Sequence, residues 1–380
     1  MKNIRNIISI LLIFTLLSFC SREQSETVAP KPIKFEKNQK LLISADNKLG
    51  LAIFKNILQP KDKNINILIS PISLNKSLSM LLYGVENDFS LKRVLQLTSL
   101  KKDDVFTEIN TLNNTIFNID QQSVFKISTH FLTNDLENIN DSFKKFIQKN
   151  NDLNIGKSNS QIPELLNSNK FNTPLFSIKN EIDFKCNFKY QTGITESPFY
   201  INPDQSKFVE MLICESEFNF YSDNLFKAIE MPIGRGNFNA LIILPEVNQS
   251  LESINKIINQ NYIHTINSRF RKLYLSVHLP QLDIDYTCSL NKSLKDQGLY
   301  SLFKMKNSEF KYLSNTKEIY LHEFSQFVKL KTVSKPVSKR ILFEKNNKNI
   351  FFIDRPFLLI ITEKYSGTII FIGQITNPVK

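Results

Sequence analysis

Apolar and polar residues alternate through much of the second half of the chain. The stretch "KLYLSVHLPQLDIDY" alternates over its whole length, which predicts one strand with a buried face and an exposed face. Two further stretches each contain a pair of apolar runs around a glycine-containing turn, which predicts antiparallel hairpins. They are "FKAIEMPIGRGNFNALIILPE", with its turn at Gly234–Gly236, and "RPFLLIITEKYSGTIIFIGQI", with its turn at "KYSG". The second half is therefore expected to build antiparallel sheets.

The first half contains apolar residues at helical spacing. "SADNKLGLAIFKNIL" predicts a helix capped by Ser44 or Asp46. "NINILISPISLNKSLSMLLYGV" predicts a short strand, a turn and a buried helix, with Pro71 early enough to be tolerated in the first helical turn. The middle third mixes helix-like and strand-like stretches, and the sequence contains no internal repeat. We therefore predict one α+β domain over residues 44–380.

The first twenty residues predict export. Lys2 and Arg5 precede the apolar run Ile7–Phe19, and this order is typical of a signal peptide over residues 1–20. The run is shorter than a comfortable membrane span. "LSFC" also resembles a lipoprotein cleavage site, which would leave a lipid anchor on Cys20, but Phe19 suits that site poorly and simple cleavage is favoured. The polar residues 21–43 are predicted to be a tether, so the mature protein is expected to be secreted.

Composition and charge change this picture little. The chain is 42% hydrophobic and carries a formal charge of +12. A basic balance can indicate polyanion binding, but an AT-rich genome favours the same abundance of Lys, Asn, Ile and Phe, and we favour that explanation. Cys186, Cys214 and Cys288 are isolated in the sequence, so neither a disulfide framework nor a zinc site is predicted. We expect these cysteines to be buried as small apolar residues.

Motifs that carry enzyme chemistry are missing from the sequence. It contains no GxSxG, GxxxxGK[ST], GxGxxG or HExxH, and its four histidines lie far apart. His278 lies inside the alternating stretch and is predicted to be an ordinary strand residue. We therefore predict a protein that is not an enzyme, with no cofactor, no metal site and no nucleic-acid partner.

A polar segment lies directly before the last apolar runs. "TVSKPVSKRILFEKNNK", from Thr332 to Lys348, is rich in basic residues although it adjoins a predicted core strand. Two explanations are open. The segment could be a solvated surface loop whose lysines reflect codon bias, or it could be offered to another protein as a binding segment.

Five sequence blocks, in order, resemble the serpin family. The first, at Asn66–Val85, is similar to the family's N-x-x-x-S-P-x-S signature, and the last is close to its C-terminal "RPF" to "NP" segment. Together the blocks cover most of residues 44–380. They are "NILISPISLNKSLSMLLYGV", "ESPFYINPDQSKFVEML", "AIEMPIGRGNFNALIILPE", "LSVHLPQLDIDYTCSLNKSLKDQGLYSLF" and "DRPFLLIITEKYSGTIIFIGQITNP".

The resemblance implies a fold and a function. The fold would be the serpin fold, with three β-sheets, surrounding helices and an exposed reactive loop at about residues 332–350. In inhibitory members a serine protease cleaves this loop, which then inserts into the main sheet and traps the protease. Counting back from the C-terminal block gives Lys345–Asn346 as the scissile bond, and counting forward from the hinge gives Lys348–Asn349. Both bonds would suit a trypsin-like partner, and the resemblance implies a monomer.

The loop hinge departs from the inhibitory pattern. The family's hinge usually reads E-x-G-T-x-A-x-A, and this chain has Thr332 in place of the Glu and Ser334, Lys335 and Val337 in place of the small uncharged Gly, Thr and Ala. An inserted strand would turn Lys335, Val337, Lys339, Ile341 and Phe343 into the core, and burying an unpaired ammonium is unfavourable by several kcal/mol. Pro336 also lacks the N–H that a central strand needs. A slip of one residue would instead turn Ser334, Pro336 and Ser338 inward. The alternative is therefore a serpin-fold binding protein that does not inhibit.

The resemblance also indicates other positions. It implies a polar cluster under the sheet opening, formed by Ser70, Ser73, Asn180 and, in place of the usual histidine, Ser325. The chain before "IPELL" is short, so the helix that crosses the main sheet is predicted to be reduced or missing. Some relatives bind heparin through one helix, where this chain could form a polyanion patch, although exposed lysines on a helix more often form only a solvated face. The patch residues are Lys92, Arg93, Lys101 and Lys102.

Overall fold

A computed structural model describes residues 30, 32–58, 64–157, 174–305, 308–315, 318–334 and 350–379. The chain divides into two units, residues 1–30 and 31–380, and all described helices and strands lie in the second. Within the described residues, no helix is both long enough and apolar enough to cross a membrane. The predicted signal peptide and Cys20 lie outside the described residues. So does the segment 158–173, where the crossing helix was expected to be reduced.

Eight α-helices are present in the described residues. A 3₁₀ turn at Leu136–Asn138 precedes α5, and a π turn and a 3₁₀ turn continue the chain from α8 to Phe303. The helices are α1 (Lys37–Ile57), α2 (Pro71–Leu81), α3 (Phe89–Val94), α4 (Lys102–Phe117), α5 (Asp141–Gln148), α6 (Leu251–Ile257), α7 (Gln260–Ser268) and α8 (Asn291–Leu294).

Five strands form the first sheet, in the order β10–β11–β4–β2–β3. Its central strands, β4 and β11, are parallel direct neighbours from Leu175 opposite Tyr320 to Cys186 opposite Thr332. The other contacts of β4 and β11, with β2 and β10, are antiparallel. The strands are β2 (Val124–Thr133), β3 (Leu153–Lys157), β4 (Leu175–Cys186), β10 (Asp283–Ser289) and β11 (Tyr320–Thr332).

The other nine strands fall into two groups joined by the long strand β6. One group is β5, β6, β9 and β12, and the other is β1, β14, β13, β8 and β7. The first ten residues of β6 pair with β5 and its last four pair with β7, so β6 belongs to both groups. With the five-stranded sheet this gives three groups of strands and an α+β fold, as the sequence predicts. The strands are β1 (Ile67–Ile69), β5 (Gln191–Asn202), β6 (Gln205–Ser222), β7 (Phe226–Ile233), β8 (Phe238–Pro245), β9 (Arg271–Pro280), β12 (Ile350–Phe352), β13 (Phe357–Glu363) and β14 (Ile369–Ile375).

The predicted hairpins form as expected. Strands β7 and β8 turn at Gly234 and Gly236, both of which have positive φ. Strands β13 and β14 turn at Gly367. In β14, a Cβ on Gly373 would lie too close to the carbonyl oxygen of Ile67 for both to fit. Glycine at position 373 therefore lets β1 pair directly with β14.

The predicted start of the first helix is wrong. Helix α1 begins at Lys37 rather than at Ser44 or Asp46, because Glu36 and Gln39 form a reciprocal capping box and Leu42 and Ile43 are buried. The predicted tether therefore ends before residue 37.

The alternating stretch that predicts one strand forms two. Strand β9 ends at Pro280, and β10 begins at Asp283 in the other sheet. Because Pro280 has no N–H, it suits the end of a ladder. Leu282 in the connection is buried, so the apolar alternation continues from β9 into β10 and the sequence pattern does not indicate the break between them.

A carboxyl group is buried between the first helices. Asp46 in α1 is 1% exposed, and its Oδ2 accepts a hydrogen bond of 2.9 Å from Asn75 in α2. Asn75 and Asn113 exchange two further bonds, which extend this contact to α4. The other oxygen, Oδ1, has no hydrogen-bond partner among the described residues. Burial raises the pKa of Asp46 well above its usual value, against the smaller opposing effect of the Asn75 bond.

We expect Asp46→Asn to change how the free energy of unfolding depends on pH. Because the pKa of Asp46 is raised in the folded chain, its contribution to stability is fully present below the unfolded pKa of about 4 and is lost as the pH rises through the folded pKa. Asparagine does not ionise, so the variant does not lose stability in this way as the pH rises. Its stability relative to the original chain should therefore increase with pH, by about 1.4 kcal/mol per pH unit between the unfolded pKa of about 4 and the raised pKa of the folded chain.

Denaturant unfolding at several pH values between about 4 and about 8 measures this difference. Asp204→Asn, which changes an exposed carboxyl in the turn between β5 and β6, is the matched control and should show no such trend. A stability difference for Asp46→Asn that is constant with pH would contradict the prediction.

Candidate functional site

The predicted loop begins at a tightly held strand end. Thr332, the last residue of β11, is 1% exposed. Its N–H donates to the carbonyl of Leu282, and its Oγ1 accepts from the N–H of Leu282 at 2.8 Å. Its carbonyl accepts from the side chain of Gln281, and the next N–H, of Val333, donates to Cys186 in β4 at 2.7 Å. The connection between β9 and β10 and the end of β4 therefore fix the point where the chain leaves the sheet.

The chain returns in a different group of strands. Ile350 begins β12, which pairs in parallel with β9 over three residues. Ser334 is half-buried, and it is the last described residue before the loop. The candidate hinge and scissile-bond residues Lys335, Pro336, Val337, Lys339, Lys345, Asn346, Lys348 and Asn349 lie outside the described residues.

Beneath the middle of the five-stranded sheet lies a buried polar cluster. Asn180 in β4 and Gln326 in β11 are direct partners across the β4–β11 pair, and both are 0% exposed. Gln326 Nε2 donates to Asn180 Oδ1 at 2.9 Å and to Ser73 Oγ at 2.9 Å. Gln326 also accepts from the N–H of Ser70 and donates to its carbonyl. One side chain therefore connects the two strands to the start of α2.

Asn180 extends the cluster toward β2. Its Nδ2 donates to the carbonyl of Ser73 at 3.0 Å and to Ser77 Oγ at 3.1 Å. Thr129 of β2 lies beside them, with its Oγ1 2.8 Å from Ser77 Oγ. Ser73 Oγ in turn lies 2.7 Å from Asn180 Oδ1. Buried polar groups are stable when their hydrogen bonds are made, so this cluster favours the closed arrangement of β4 and β11.

The structure brings three of the four predicted cluster residues together, and it corrects the fourth. Ser70, Ser73 and Asn180 meet, whereas Ser325 lies on the other face of β11 and makes one long bond of 3.4 Å to the carbonyl of Ile178. Gln326 occupies the position that was assigned to Ser325. Strand periodicity could have identified it, because Phe324, Gln326 and Val328 share the buried phase of β11.

The opposite face of the sheet carries charged pairs. Lys331 and Asp283 lie 2.7 Å apart across β10 and β11, and Lys329 lies 3.9 Å from Asp285. On β4, burial would raise the pKa of Glu181, but the ion pair with Lys179 and the proximity of His130 outweigh burial and hold the pKa below its usual value. These pairs are partly solvated, so each contributes little to stability.

Two residues at and just after the end of β4 are packed into the core. Cys186 is 2% exposed, and burial raises the pKa of its thiol far above the usual range, so the thiol is not a reactive group. Phe188 is also 2% exposed and forms a bridge with Ile233 at the end of β7.

The predicted polyanion patch is divided between two helices. Lys92 and Arg93 lie in the last turn of α3, whereas Lys101 and Lys102 lie at the start of α4. Three of the four have a neighbour within the fold. Lys92 pairs with Asp88 at 2.8 Å, the ammonium of Lys102 lies 5.1 Å from the ring centre of Tyr83, and the guanidinium of Arg93 approaches Gly298. Asp103 and Asp104 follow directly, which reduces the positive charge of this surface.

The chain matches a known family over nearly all of its described length. The family model described as "Serpin (serine protease inhibitor)" matches residues 44–161 and 151–378. The chain is similar to Serpin H1 of Gallus gallus, with 24% identity over 96% of this chain and 97% of that protein. It is 26% identical to Serpin B5 of Rattus norvegicus over 88% and 98% of the two chains. The crystal structure of native protease nexin-1 with heparin covers 90% of this chain and 100% of its own, with a TM-score of 0.73 and 21% identity.

We expect Gln326→Leu to destabilise the protein by about 1–3 kcal/mol, because it leaves the buried N–H of Ser70 and the Oδ1 of Asn180 without a bond to residue 326. The midpoint of urea unfolding measures this loss. Ser325→Ala on the same strand is the matched control and should change stability by less than about 0.5 kcal/mol. Equal effects of the two substitutions would contradict the assignment of Gln326 to the cluster.

Proposed function

The chain belongs to the serpin family, and on that premise we propose that it offers residues 335–349 to a trypsin-like serine protease as a reactive loop. The protease would cut after Lys345 or Lys348, because both lysines precede an asparagine in the segment where the family's cleaved bond is expected. A trypsin-like enzyme selects lysine through an acidic specificity pocket. The chain itself supplies no catalytic group in this reaction.

The observation that carries the proposal is the placement of the two loop ends. Thr332 lies at the end of a central strand of the five-stranded sheet, and Ile350 begins a strand in another group. Cleavage between these two points would leave two free ends, one attached to each strand, and the part attached to Thr332 could turn back along β11. This arrangement supports a cleaved segment that becomes an additional strand.

Insertion between β4 and β11 would change the type of pairing. The segment after Thr332 would run antiparallel to β11 and, because β4 and β11 are parallel, antiparallel to β4 as well. One parallel pairing would be replaced by two antiparallel pairings, which are slightly more stable per residue and add a full set of backbone hydrogen bonds. This gain is the energy that would distort a protease still attached to the loop.

Two features oppose insertion. The direct bond of 2.9 Å between Gln326 and Asn180 must break when the strands separate. The hinge would also place Lys335 or Pro336 in the sheet, where an ammonium is poorly solvated and a proline cannot donate to the ladder. These features favour a second candidate function, in which the chain is a serpin-fold binding protein whose loop is cleaved without trapping the protease.

Export is part of the proposal. Lys2, Arg5 and the apolar run Ile7–Phe19 support removal of residues 1–20 during secretion, with a lipid anchor on Cys20 as the alternative product. Mass measurement of the exported protein distinguishes the two, because a lipidated Cys20 adds acyl mass to the chain.

Mixing the purified protein with trypsin tests the inhibitory function. A complex that survives denaturing electrophoresis, together with a rise in melting temperature after loop cleavage, is expected if the segment inserts. Cleavage at the loop with no complex and no rise in melting temperature would assign the chain to the second function.

Alanine variants identify the bond. Loss of cleavage in Lys345→Ala but not in Lys348→Ala, or the reverse, is expected. Lys329→Ala, in the adjoining strand, is the control and should be cleaved like the original chain. If both single variants and the double variant are cut in the loop as fast as the original, neither lysine is the site and the proposed specificity is wrong.

We also propose the polyanion patch as a weak site for heparin, which is the ligand named for the similar protease nexin-1 structure. Lys101→Gln combined with Arg93→Gln should lower the salt concentration that elutes the protein from a heparin column. Each cation that pairs with a sulfate of heparin releases counterions, which favours binding, and the variant has two fewer such cations. Lys48→Gln on the exposed face of α1 is the control for overall charge. Elution at the same salt as this control would exclude the patch.

A further inference from the structure

A cavity of about 1000 Å³ lies in the surface where helices α1 and α6 meet the β-strands. The end of α1, the start of α6, the end of β5 and the segment before β13 surround it. Its volume is at the upper end of the range found for small-molecule sites. With Gln374 of β14, residues from five parts of the chain therefore line an open space large enough for a ligand of drug size.

The walls of this cavity are mostly apolar. Leu58, Ile201, Pro245 and Leu251 contribute to the lining. At its edge, Val247 is 80% exposed and Tyr200 is 46% exposed, so large apolar side chains remain in contact with solvent. Apolar side chains grouped at a concave surface are typical of a binding site, whereas single exposed apolar residues are common elsewhere.

One cation in the lining is held rigidly. Arg355 donates from Nε and Nη2 to the carbonyl of Pro245, at 3.2 Å and 2.7 Å, and from Nη1 to Asp354 at 2.9 Å. The backbone carbonyl of Asp354 accepts from the N–H of Tyr200, which ties this segment to β5. These contacts use three of the five N–H groups of the guanidinium. These bonds leave two N–H groups of the guanidinium for a further acceptor.

The charges that line the cavity favour an anion. Arg355 and Asp354 form one pair, and Lys256 and Glu252 form a second at 2.9 Å. Lys55 adds a third cation, whose ammonium lies 3.3 Å from the backbone carbonyl of Lys256. Three cations face two carboxylates, so the lining carries one net positive charge beside an apolar wall.

We propose that this cavity binds a small amphipathic carboxylate of the fatty-acid class. The hydrocarbon body would cover the apolar wall at Val247 and Leu251, and the carboxylate would lie near Lys55, Lys256 and Arg355. A bidentate arrangement with a guanidinium is the geometry that carboxylates prefer. The proposal goes beyond the protease-related function and does not depend on it, because the described residues that line the cavity all lie outside the loop.

Isothermal titration of the full chain with dodecanoate, below its critical micelle concentration, tests the proposal. Saturable binding with one site is expected, and dodecanol, with the same chain and no charge, should bind more weakly. No saturable binding of dodecanoate would overturn the proposal. Equal binding of dodecanol would overturn the assignment of a carboxylate and of its cationic partners.

Variants locate the site. Lys55→Gln combined with Lys256→Gln should weaken dodecanoate binding about fivefold, since partly exposed charge pairs contribute modestly. Val247→Asp should weaken it at least as much, because it places a negative charge at the apolar edge. Both changes are at exposed or half-exposed positions, so thermal melting should be unchanged. Lys48→Gln, on the same helix as Lys55 but outside the cavity, should bind like the original chain. Binding that is unaffected by both cavity variants would overturn the proposed location.

Discussion

The parallel contact between β4 and β11 is the constraint on which the rest of the structure depends. Two parallel strands at the centre of a sheet cannot be joined by a tight turn, so the chain must bring them together from distant parts of the sequence. Asn180 and Gln326 lie opposite each other in this contact, and both bond to the first turn of α2. The buried cluster therefore fixes the register of the two strands and the position of the helix beneath them.

Such a contact is stable but replaceable. The amides of Asn180 and Gln326 are hydrogen-bonded within the cluster, which stabilises the closed sheet, whereas the buried Oγ of Ser70 has no hydrogen-bond partner among the described residues. If β4 and β11 separated, an additional strand between them would nevertheless find backbone N–H donors and C=O acceptors on both strands. The free energy of an expanded sheet would therefore depend on the sequence after Thr332 as well as on the cluster.

The pattern of apolar residues predicts most of the fold, and its failures have local causes. The hairpins at Gly236 and Gly367 follow from glycine between apolar runs, and the buried helix after Pro71 follows from helical spacing. The break between β9 and β10 was missed because Leu282 continues the alternation. In the cluster, the residue beside Asn180 was misplaced by one position. A resemblance to a family motif can be shifted by one residue without being noticed. In a strand, the same shift moves a side chain to the other face of the sheet, and the alternation of buried residues along β11 assigns Gln326 to the buried face.

The composition of the loop bears directly on whether the cluster could re-form around an inserted strand. A segment turning back after Thr332 would place one of the residues Lys339–Phe343 opposite Gln326, since Gln326 lies six residues before the end of β11. Ile341, Leu342 and Phe343 offer no side-chain hydrogen-bonding group, and Lys339 or Arg340 could donate to the two amides only with a positive charge buried in the sheet. The same cluster that closes the sheet therefore opposes its expansion in this chain, independently of the lysine and the proline at the hinge.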